Sequence, residues 1–86
     1  MKEFTYTIKS KTGLHTRRAG LLAQHAKAFR DTRITVSSDG NTVKTNQLMK
    51  LISMGLKRGS KVTVAAEGPQ ENRAIDHMQS LFEYYL

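Results

Sequence analysis

The chain has 86 residues, no cysteine, and 14 basic against 7 acidic residues, for a formal charge of +7. That length allows one domain, residues 1–86, burying roughly 60% of its unfolded surface, and the lack of cysteine excludes disulfides, thiolate metal sites and any need for an oxidising compartment. The basic residues are scattered from Lys2 to Arg73, and the aromatics fall mainly at core-spaced positions, so the charge points to acidic protein surfaces as partners and not to nucleic acid.

Met1-Lys2-Glu3-Phe4-Thr5 alternates at once and carries no apolar export segment, and nowhere do apolar residues run long enough for membrane insertion; a cytoplasmic chain is expected. Phe4, Tyr6 and Ile8 alternate with Thr5, Thr7 and Lys9, the period of a strand with one buried face. Ser10-Lys11-Thr12-Gly13 breaks that pattern and leads into a helix with apolar residues at Ala19, Leu22, Ala23, Ala26 and Phe29, which should fade near Arg30-Asp31. Ile34 and Val36 mark a second strand, Asp39-Gly40 suits a tight hairpin, and Thr42-Val43-Lys44 continues as a third.

Asn46 or Thr45 is expected to cap a short helix through Gln47 to Met54, which Gly55 ends in a left-handed conformation. Two turns cannot bury Leu48, Leu51, Ile52 and Met54 on one face, so part of this apolar surface should be exposed. Val62, Val64 and Ala66 form a fourth strand. Gly68-Pro69 begins the last helix, with proline in its first turn and an inner stripe of Ala74, Ile75, Met78, Leu81, Phe82 and Tyr85. The order β-α-β-β-α-β-α implies an α+β fold, with three helices on the apolar face of a mostly antiparallel sheet.

The stretch that carries chemistry is Gly13-Leu14-His15-Thr16-Arg17-Arg18-Ala19-Gly20, which sets His15 at a helix entrance. The first N–H groups of a helix lack internal partners and carry the positive end of its dipole, so an anion is stabilised there, and Arg17 adds a guanidinium within a turn. A neutral imidazole is a nucleophile, so the segment is a candidate phosphoryl acceptor with its own oxyanion support. His25 and His77 lie mid-helix without a motif and read as surface or partly packed residues, and the three histidines do not form a metal pattern. No second acid, base or nucleophile accompanies His15, and there is no P-loop or carboxylate cluster, so no metal, cofactor or enzymatic turnover is expected.

With the segment order, Gly13-Leu14-His15-Thr16-Arg17, the helix from Leu48-Met49 to Gly55, and Gly59 in place, the chain resembles the HPr family along essentially its whole length. These are histidine-containing phosphocarriers of the bacterial phosphoenolpyruvate:sugar phosphotransferase system. The resemblance implies an open-faced sandwich, a four-stranded antiparallel sheet under three helices. It also implies that His15 accepts a phosphoryl group at Nδ1 from enzyme I and passes it to IIA domains of sugar permeases, with Arg17 supporting the phosphohistidine. Partners would dock on the His-bearing and short helices, touching Thr16, Gly20, Leu48, Met49 and Ile52 inside a ring of Lys27 and Lys50, with the carrier as a monomer. Two positions depart from the family. Arg18 stands where proline is usual and becomes a candidate second phosphate support. Gln47 stands where many Gram-positive members carry a regulatory serine, leaving Thr45 or Ser53 as the nearby hydroxyls. The alternative is a regulatory binding protein of the same fold that has left sugar transport.

Overall fold

The computed structural model describes residues 1–86, and its elements follow the expected order: β1 (Lys2–Thr7), α1 (Thr16–Ala26), β2 (Arg33–Ser38), β3 (Asn41–Lys44), α2 (Leu48–Ser53), β4 (Lys61–Glu67) and α3 (Glu71–Tyr85). The four strands form one sheet in the spatial order β1-β4-β2-β3, with every neighbouring pair antiparallel. The three helices cover one face.

The register explains why that face is apolar. Phe4 lies opposite Val64 and Tyr6 opposite Val62, while Val36 pairs with Val64 on one side and Val43 on the other. A period of two then sends these residues, with Ile34 and Ala66, to the helical side, and leaves Thr5, Thr35, Thr42 and Thr63 on the open side. Phe82 of α3 sits over the β1 end of this layer, its ring edge-on to Phe4 at 5.7 Å and to Tyr6 at 5.8 Å. Ala74, Ile75, Met78 and Leu81 complete the buried stripe of α3, and Tyr85 is half-buried at its end.

The Asp39-Gly40 turn has positive φ at both residues, 50° and 82°, the geometry a two-residue hairpin needs, and Gly55 is left-handed beyond α2 at 65°. Three boundaries differ from the sequence expectation. The hydrogen bonding of α1 changes after Ala26 to i to i+3 bonds, Ala28 N–H to His25 and Phe29 N–H to Ala26, so the regular helix stops short of Arg30-Asp31. Neither Thr45 nor Asn46 caps α2. Gln47 holds that position, because Thr45 is buried against the sheet, where both its N–H and its hydroxyl donate to the carbonyl of Ile34. Pro69 lies before α3, whose N-cap is Gln70. Gly68 is responsible: its φ is 146°, and a Cβ there would stand 2.5 Å from the Asp31 carbonyl oxygen, so the chain passes tightly under the α1–β2 connection before it can turn into a helix.

Candidate functional site

His15 is placed by the loop between β1 and α1, and Gly13 decides how that loop runs. Its φ is +63°, and a Cβ at this position would come within 2.4 Å of the Leu56 carbonyl oxygen and 2.7 Å of Lys57 Cα. Only glycine satisfies both the left-handed backbone and that approach. The contact is then fastened: Leu14 N–H donates to Leu56 C=O at 3.0 Å, and the Leu14 side chain is buried in the core. The segment following α2 is therefore the shelf on which the entrance of α1 rests.

At that entrance His15 is the N-cap, with extended backbone angles of −99° and 177°, and its side chain makes no capping hydrogen bond. Its carbonyl accepts the first helical bond, from Ala19 N–H at 2.9 Å, so the N–H groups of Thr16, Arg17 and Arg18 have no partner within the chain. The first turn contains no acidic residue. Arg17 is exposed and belongs to no ion pair, the one salt bridge of the molecule being between the Met1 ammonium and Glu71. The half-buried His15 thus stands at a helix start with free amides, a positive dipole end and no acid in its first turn, and Arg17, two residues on, carries a guanidinium in no ion pair.

Arg18 is oriented differently from Arg17. Its Nη1 donates to the backbone carbonyl of Tyr85, and its guanidinium lies over the Tyr85 ring at 5.5 Å from the centroid. Carbonyls at a helix C-terminus lack internal donor partners and carry the negative dipole end, so Arg18 straps the start of α1 to the end of α3. Lys9 and Ser10 N–H both donate to Leu86 C=O, which ties the same loop to the same helix end.

Of the expected contact residues, Thr16, Lys27, Met49 and Lys50 are exposed and Gly20, Leu48 and Ile52 half-buried. In α2, Leu51 is fully buried and anchors the helix, Leu48, Ile52 and Met54 pack against the core half-buried, so that they are open only in part, and Met49 is 75% exposed. A Cβ on Gly20 would meet nothing within 4 Å, so no internal contact calls for glycine there. Gln47 is exposed, and its Oε1 accepts from Lys44 N–H at 3.3 Å. A concavity of about 600 Å³ lies apart from His15, toward the far end of α1, lined among others by Lys27, Arg30, Arg33 and Lys44.

What sequence reasoning missed is that His25 and His77 meet: Nδ1 of the first and Nε2 of the second are 2.9 Å apart. Nothing in a spacing along the chain signals such a pairing.

Residues 2–84 match the family model described as PTS HPr component phosphorylation site. The chain is 42% identical to the phosphocarrier protein HPr of Vibrio cholerae over 83 residues, 96% of each chain, and 38% identical to that of Haemophilus influenzae over 74 residues, 86% of each. Among solved structures it resembles HPr-C-His from Thermoanaerobacter tengcongensis with a TM-score of 0.89 at 41% identity, covering 96% of this chain and 92% of that one. No helix is long and apolar enough to cross a membrane. The fold, the family match and the relatives agree, and the chain belongs to the HPr family of phosphocarrier components of the bacterial phosphotransferase system.

Proposed function

We propose that this chain carries a phosphoryl group on His15 from enzyme I, which draws it from phosphoenolpyruvate, to the IIA domains of sugar permeases in the cytoplasm. The observation that carries this is the uncompensated start of α1, with three free amides, no acid in the first turn, an Arg17 in no ion pair, and an imidazole not engaged in capping. A neutral ring nitrogen attacks phosphorus on phosphorylated enzyme I; the new N–P bond forms as the donor's bond to phosphorus breaks. The amides of Thr16, Arg17 and Arg18, with the Arg17 guanidinium, balance the charge on the phosphoryl oxygens. In the second half-reaction a nucleophile on the IIA domain attacks the same phosphorus and His15 is restored. With no acid or base beside His15, the partners supply the remaining catalysis, and the chain acts stoichiometrically.

Thr16, Gly20, Leu48, Met49 and Ile52 form the docking surface in this proposal. The exposed Met49 supplies apolar contact, and Lys27 and Lys50 steer acidic partner surfaces into encounter. Arg18 contributes by holding α1 against α3. For regulatory phosphorylation near α2, Gln47 has no hydroxyl and Thr45 is buried, which leaves the exposed Ser53, whose hydroxyl donates to Met49 C=O at 2.8 Å.

The test is labelling by phosphoenolpyruvate plus enzyme I, read as the mass gain of one phosphoryl group. The intact chain is expected to be labelled and His15→Ala to remain unlabelled. Labelling that survives His15→Ala refutes the assignment.

A further inference from the structure

The chain has four methionines and no cysteine, so with no thiol to compete the thioethers are its most readily oxidised side chains. The fold sorts them by access. Met78 is 0% exposed in the inner stripe of α3, and Met54, at the end of α2, is half-buried against the core. Met1 at the chain start and Met49 in α2 are open, at 71% and 75%. Of these two, Met49 lies on the helix that packs against the His15-bearing α1. Its side chain is no part of the core and α2 is anchored by the buried Leu51, so a change in the chemistry of Met49 leaves the packing beneath it as it is.

Oxidation of a thioether is a two-electron step. Hydrogen peroxide delivers one oxygen to the sulfur, its O–O bond breaks, and it leaves as water; the chain neither gains nor loses a proton. A flexible apolar group becomes polar, with an oxygen that accepts hydrogen bonds. On an interface that oxygen would have to give up its water, and against an acidic partner surface it meets further acceptors in place of donors. The reverse step needs two thiols, of the kind methionine sulfoxide reductases use: they become a disulfide, and the oxygen leaves as water.

We propose that Met49 is a reversible oxidation site whose sulfoxide weakens the docking of phosphotransfer partners and leaves the phosphoryl-accepting chemistry of His15 intact. The inference rests on the docking surface proposed above. In the experiment, the intact chain and Met49→Leu are treated with hydrogen peroxide, freed of it by catalase, and assayed for phosphoryl transfer from enzyme I over a range of chain concentrations. Mass spectrometry of peptides locates the added oxygen. Met49 and Met1 should gain oxygen before Met54 and Met78. The KM for the intact chain should rise about fivefold or more, as when a central apolar contact is lost, with kcat and the urea midpoint unchanged. Reductase treatment should restore that KM, and peroxide should not move the KM of Met49→Leu from its own untreated value. Oxygen reaching Met78 first, an equal rise in treated Met49→Leu, or a rise the reductases do not reverse would overturn the proposal. Met49→Gln, polar without oxidation, separates it from the reading beneath it. A raised KM in Met49→Gln with none on oxidation of Met49 overturns this inference alone; no rise in either overturns the docking surface as well.

Discussion

The starts of α1 and α3 face the same physical problem and solve it in opposite ways. Both helices begin without a capping hydrogen bond from the N-cap side chain. At α3 the positive end is offset by an acid in the first turn, and one of the first three amides, Glu71 N–H, has a partner in Gly68 C=O at 3.1 Å. Glu71 stands in the first turn, its carboxylate accepts from Gly68 N–H at 3.3 Å and meets the Met1 ammonium at 3.0 Å, and Thr32 Oγ1 accepts from Gln70 N–H at 3.0 Å. At α1 nothing is repaired: the first turn holds Thr16, Arg17 and Arg18, no acid, and amides left free. One helix end serves the stability of the fold, and the other keeps its positive field available to an anion from outside.

The comparison breaks most severely if the loop that aims α1 is disturbed. Gly13→Ala forces a side chain into a left-handed position and against the Leu56–Lys57 backbone, and should destabilise the fold by about 2 kcal/mol or more, by urea unfolding. The substitution should also slow phosphoryl transfer, because His15 rides on that loop. Arg17→Glu sharpens the contrast by giving α1 what α3 already has. An acid in the first turn should stabilise the free protein by about 0.3–1 kcal/mol, while transfer from enzyme I falls about tenfold or more, because a carboxylate now repels the incoming phosphoryl group. Stability and transfer moving in opposite directions is the signature; a joint loss of both would mean that Arg17 is a structural residue.

The smallest effect concerns α3. The hydrogen bond from the N-terminal ammonium, then that from Gly68 N–H, hold the Glu71 carboxyl below its ordinary value of 4.5. A carboxyl depressed in the folded state contributes stability that is fully present above the unfolded value and is lost as pH falls through the folded one. The stability difference between the intact chain and Glu71→Gln should therefore be constant near neutrality and shrink as pH falls below 4.5. Chemical unfolding across the acid range would show it.

Much of the fold was legible because it is local. Alternation in Phe4-Tyr6-Ile8 and Val62-Val64-Ala66, the Asp39-Gly40 turn and the left-handed Gly55 are each set by residues within a few positions of one another. The signature around His15 was legible for the same reason, since a glycine turn, a histidine and a helix start are consecutive. What escaped depends on how helices cross. The azimuth of α1 against α3 brings His25 to His77, 52 positions on, and Arg18 to Tyr85, 67 positions on, and no periodicity encodes either. Thr45 escaped through competition: a good capping residue by type, it is drawn into the buried sheet edge instead.

The central claim is that the open end of α1 receives a phosphoryl group on His15, and amide NMR of the chain before and after treatment with enzyme I and phosphoenolpyruvate tests it most directly. The expected result is a single phosphoramidate resonance in ³¹P spectra, with the largest amide shifts at Thr16, Arg17 and Arg18 as their free N–H groups take up phosphoryl oxygens. A phosphoramidate on His25 or His77, or one on His15 that leaves those three amides unmoved, would contradict it.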